Sequence, residues 1–93
     1  MNNSKLCEEI GEQTAAAVKE WIVKNFIPQE KPNYEWSSYG LKHALQINTG
    51  IYLDNNQFKM AMLECGFEPC NFEEQNWIFA ISEKSPATEM KMI

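Results

Sequence analysis

The sequence predicts an α+β fold, three helices followed by a C-terminal β-hairpin, on the strength of three observations. Apolar residues recur at helical spacing in three separate stretches. Each stretch opens at a capping residue and closes at a proline or a glycine. Beyond Gly66 the period changes to two, in two β-rich runs on either side of a four-residue polar turn.

Ser4 is a good N-cap for a first helix from about Ser4 to Phe26, with Glu8 and Glu9 well placed against the helix dipole. Leu6, Ile10, Ala17, Val18, Trp21 and Ile22 form its apolar stripe, and Ala15 to Ala17 favour helix strongly. Pro28 ends it, because the residue before a proline is pushed out of the α region. Residues 28–36 hold two prolines and read as a connector, with Tyr34 and Trp36 expected to pack back onto the core.

Ser37 or Ser38 caps a second helix that runs to about Asn48, with Leu41, Ala44, Leu45 and Ile47 as its buried positions and Gly50 as a left-handed stop. Gly40 in its first turn costs about 1 kcal/mol against alanine, which close approach of another backbone would explain. Ile51-Tyr52-Leu53 is short and β-favouring. Asp54-Asn55-Asn56-Gln57 matches a capping box for a third helix, Asp54–Cys65, with Phe58, Ala61, Met62 and Cys65 facing inward and Gly66 stopping it. The hairpin follows, Phe67–Phe72 and Trp77–Ser82 around Glu73-Glu74-Gln75-Asn76, and Pro69 marks its first strand as an edge. In the second strand Trp77, Phe79 and Ile81 alternate with Ile78 and Ala80.

Helix, helix, short strand, helix, hairpin is the order of a winged helix-turn-helix. That order places Asp54–Cys65 as the recognition helix and Glu73–Asn76 at the wing tip, although three helices and a small sheet can pack in other ways. The expected domain covers residues 1–83, with 84–93 a loose tail.

Ninety-three residues make a single domain, 44% hydrophobic and 12% aromatic, without low-complexity sequence. So short a chain does not easily wall off a deep substrate cavity of roughly several hundred Å3. The first ten residues lack the basic flank and apolar run of a secretory signal, and no stretch approaches the ~20 apolar residues of a membrane span, so the expected location is cytoplasmic. Cys7, Cys65 and Cys70 fit reduced thiols. Cys65 and Cys70 could form half a zinc site, but only His43 and Cys7 remain to complete it, at unrelated spacing, so neither metal nor cofactor is expected.

Catalysis is not expected either. His43 is the single histidine, and no phosphate loop, serine elbow or metal cluster is present. The Glu8/Glu9 and Glu73/Glu74 pairs are adjacent, so they diverge on a helix or lie solvated in a turn. Cys7, near a helix N-terminus, lacks an activating base close in sequence.

Charge is more informative. Eight lysines face twelve glutamates and one aspartate, with no arginine. Between Met60 and Glu83 there are five glutamates and no lysine, whereas the remainder balances at eight against eight, so the whole formal charge of −5 sits there. Carboxylates at a third helix and wing oppose phosphate, which DNA readers must neutralise. Glutamates on a solvated face can equally serve solubility alone.

Ser38-Tyr-Gly-Leu-Lys-His43, Gly50-Ile-Tyr52, Asn56-Gln-Phe58, Ala61-Met62, Gly66-Phe67-Glu-Pro69 and Asn76-Trp77-Ile-Phe79-Ala-Ile-Ser82 together resemble a group of small prophage and conjugative-element proteins of low-GC Gram-positive bacteria. The resemblance spans residues 37–86 and implies a mobile-element origin, with no site to transfer. The Phe58, Gly66-Phe67, Trp77, Ile81 spacing is also similar to the winged-helix tails of phage primase-type proteins, which bears on fold only.

The expected function is therefore non-catalytic binding. In the leading form, an inhibitor of the anti-CRISPR or anti-restriction kind covers the nucleic-acid-binding surface of a host nucleoprotein effector, with Glu64, Glu68, Glu73 and Glu74 as contact charges and Trp36 and Tyr39 as aromatic contacts. The alternative is a winged-helix DNA-binding regulator or replication accessory protein, which would need Lys42, Lys59 and Lys5 or Lys84 on one face. A third is an adaptor that binds through Trp36 and the tyrosines.

Overall fold

In the computed structural model, residues 4–89 are described, and among them lie four α-helices and no β-strand: α1 Lys5–Ile10, α2 Glu12–Asn25, α3 Ser38–Thr49 and α4 Asn55–Glu64. A short 3-10 helix follows at Pro86–Glu89. The chain is a small helical protein, and the expected α+β class, with its hairpin and winged-helix order, is not what it adopts.

The first long helix is two. Ser4 caps α1 by accepting a hydrogen bond from the Cys7 amide, but Gly11 takes φ +90°, where a helix cannot continue and L side chains are strained. The break re-phases everything after it, so Ala15 is buried while Ala17 is exposed. Phe26 then turns to extended backbone, ending α2 two residues before Pro28.

Ser37 precedes α3, and Gly50 stops it at φ +80°. Gly40 accommodates a side chain and not a backbone: a Cβ there would stand 3.4 Å from the Trp36 ring. Ile47, expected inside, is 56% exposed. Asp54 and Gln57 form the capping box of α4. Its end is a Schellman motif, with the Phe67 amide donating to Met62 O (2.9 Å) and the Gly66 amide to Leu63 O (3.0 Å).

One core joins these helices, built on Leu6, Val18, Ile22, Leu41, Leu45, Phe58, Met62, Phe79 and Ile81, all fully buried. The segment 77–81 threads this core, and its alternation survives: Trp77, Phe79 and Ile81 are buried, Ile78 and Ala80 half-buried. Its pairing does not become a ladder. It makes isolated antiparallel bridges, Ile81 with Pro28, Ile78 with Ser37 and Phe79 with Pro69. Two of those partners, Pro28 and Pro69, are prolines without an N–H to donate, which keeps those two pairings from extending into a ladder. Ile51-Tyr52-Leu53 likewise stays irregular, with Leu53 buried.

Of the tail expected over 84–93, residues up to Glu89 are described. Ser85 and Ala87 are fully buried, and the Ser85 hydroxyl accepts a hydrogen bond from the Ile27 amide (2.8 Å). The rest lies outside the described residues.

Candidate functional site

Two places collect exposed or unpaired chemistry. The first is the loop 67–76. Its backbone is pinned at several points: the Cys70 amide donates to Ile78 O (2.9 Å), the Glu73 amide to Asn71 Oδ1 (2.9 Å), and the Trp77 indole to Phe72 O (3.2 Å). Asn55 adds two bonds, from Nδ2 to Gln75 O (2.9 Å) and to Asn76 Oδ1 (3.0 Å). Phe72 lies edge-on to Trp77, with ring centroids 5.3 Å apart, yet remains 57% exposed. In the same loop Glu68, Glu73 and Glu74 are exposed, and no described lysine pairs with any of them. The loop thus holds a partly open aromatic ring and three free carboxylates on a fixed backbone.

Glu64 is elsewhere engaged. Its carboxylate accepts from the Ser4 hydroxyl (2.6 Å) and the Leu6 amide (3.2 Å) and pairs with Lys19 Nζ at 2.6 Å. Burial alone would raise its pKa, but the bonds from Lys19, Ser4 and Leu6 outweigh that and hold it below the ordinary carboxylate value. Its bonding is structural, and it ties α1 to α2 and α4. Trp36 is half-buried against Gly40, while Tyr39 is exposed and belongs to the second place.

That second place is a cleft of about 570 Å3 between α3, the 51–53 segment, the start of α4 and residues 75–76. Its walls are Tyr39, Lys42, His43, Tyr52, Asn55, Gln75 and Asn76. Lys42 is only 6% exposed, with its ammonium 5.1 Å from the Tyr39 ring centre and 4.8 Å from that of Tyr52. Among the described residues no carboxylate ion-pairs with it. Asn55 is held in the cleft wall by Ser38, whose buried hydroxyl donates to Asn55 Oδ1 (2.8 Å) and accepts from the Trp77 amide (3.0 Å). The sequence carried a signal for this cleft: Lys42 falls in phase with Ser38, Leu41 and Leu45 on the inward face of α3, where a charge is costly.

Of the other lysines considered for DNA contact, Lys59 lies 4.8 Å over the Trp77 ring and donates to Glu74 O (3.4 Å), while Lys5 and Lys84 are exposed. Cys7 and Cys65 are half-buried and Cys70 exposed, all as free thiols, and burial pushes the Cys65 thiol up. No group of metal-ligating side chains comes together among the described residues. No described helix is long and apolar enough to cross a membrane. No family model matches the chain, and no curated protein or solved structure is significantly similar to it.

Proposed function

We propose that the protein is a non-catalytic binding protein that presents the loop 67–76 to a basic protein surface. The observation that carries this is the exposed Phe72 ring flanked by free Glu68, Glu73 and Glu74 on a pinned backbone. An aromatic anchor in an acidic surround suits a partner groove that is itself basic, because the ring supplies buried area and the carboxylates supply complementarity and fast encounter. Pinning the loop beforehand lowers the ordering cost of association.

In its finer form, the surface covered is the nucleic-acid-binding groove of a host defence complex, with carboxylates standing where phosphates would. The resemblance of residues 37–86 to mobile-element proteins accords with such a role. Glu64 is no longer among the contact charges, since its oxygens are engaged within the fold.

Affinity capture from a nuclease-treated lysate of a low-GC Gram-positive host tests it. The wild-type chain should retain a nucleic-acid-binding protein complex and release it as salt rises. Glu68→Lys with Glu73→Lys and Glu74→Lys should lower retention by about a hundredfold or more, since like charges across an interface cost several kcal/mol. Phe72→Ala should lose retention without changing the salt dependence. Recovery of DNA, with protein partners lost after nuclease, would overturn the proposal.

A further inference from the structure

The cleft around Lys42 adjoins the end of the loop 67–76 through Gln75 and Asn76, but Glu68, Glu73 and Glu74 do not line it. We propose that it is a binding site for a phosphate ester carried on a planar ring, a ligand of the mononucleotide class.

Lys42 is more than nine-tenths buried and its charge has no counterion among the described residues. Lys42 lines the cleft, and its ammonium donates to no other described residue. Two tyrosine faces hold it in place by cation–π contact but supply no negative charge. A lysine fixed in this way is a point charge awaiting an oxyanion.

The rest of the lining agrees in sign. Among the described residues no aspartate or glutamate lines the cleft, while Gln75 and Asn76 bring neutral polar groups to it. Asn55 donates to Asn76 Oδ1, so the acceptor of that amide is engaged and its N–H groups remain to bond a ligand. Tyr52 is 63% exposed and offers a ring against which a planar group can stack. The volume lies within the range of about 300–1,000 Å3 usual for small-molecule sites.

The test is a titration of the isotope-labelled full chain by NMR, with adenosine 5′-monophosphate, adenosine and inorganic phosphate as separate probes. The monophosphate should give saturable shifts at the Gln75 and Asn76 side-chain amides and at residues 39–43. Adenosine and inorganic phosphate should each bind at least tenfold more weakly. Lys42→Met should abolish saturation, and Tyr52→Leu, at an exposed position, should weaken the monophosphate severalfold even if the lysine variant folds poorly. Lys84→Gln should change nothing. Equal binding of adenosine and its monophosphate would overturn the proposal, as would unchanged binding in Lys42→Met or no saturable shift in the wild type. Shifts confined to Lys5 and Lys84 would do so too.

Discussion

Glu64 accepts hydrogen bonds from Ser4 and Leu6 and pairs with Lys19, and its side chain is only 20% exposed. Because its pKa is lowered in the folded chain, it contributes stability that is present above the ordinary carboxylate value and lost as pH falls through the lowered one. For Lys19 the hydrogen bond to Glu64 raises the pKa, so its share is full below the ordinary lysine value and fades as pH rises through the raised one. Glu64→Gln is therefore expected to cost about 1 kcal/mol at neutral pH, discounted for partial exposure. Urea melts across the acid range should show the gap between wild type and variant closing as pH falls. A gap that stays constant with pH would mean that the bonds act by geometry alone. Nothing in the sequence singled out this glutamate from the four others between Met60 and Glu83, because its partners Lys19, Leu6 and Ser4 lie far away along the chain.

At the scale of the element, short-range chemistry was legible and long-range pairing was not. The capping box of α4, the glycine stops at Gly50 and Gly66, and the period-two burial of Trp77, Phe79 and Ile81 all follow from neighbours within a few residues. The hairpin failed because its two runs share their pairing with the distant connector. Ile81 and Ile78 bridge to Pro28 and Ser37, and only Phe79 bridges to Pro69. Gly11 was overlooked inside a strong alanine-rich pattern, although it sets where α1 turns back. Gly11→Ala should destabilise by about 1–2 kcal/mol, since alanine at positive φ is strained even though its Cβ would meet nothing within 4 Å. Thermal melts would check this, and an increase in stability would mean that the two helices can fuse without loss. The aromatic and acidic candidates were partly legible as well. Glu73 and Glu74 are exposed as their turn position suggested, and Glu68, expected on a strand, is exposed as well, whereas the Lys42 cleft is assembled from three separate stretches of chain.

For the whole molecule, closure comes late in the sequence. Ser85 and Ala87 are fully buried, and Ser85 satisfies the Ile27 amide at the exit of α2. A chain ended after Glu83 should lose about 2 kcal/mol, or roughly 10 °C in Tm, through the orphaned amide and the uncovered core. Differential scanning calorimetry of the shortened chain would read this directly, and an unchanged Tm would mean that the 3-10 segment is dispensable. The segment it helps to cover, Trp77-Ile-Phe-Ala-Ile-Ser82, has no charge and no proline, and every residue but the last is apolar. In the native state it is held at separate points between prolines, so no run of unpaired backbone is offered to a second copy. Once unfolded, the same six residues have the composition of a steric zipper. Glu73 and Glu74 before it, and Glu83 and Lys84 after it, are then the only gatekeepers close at hand against amyloid-like stacking.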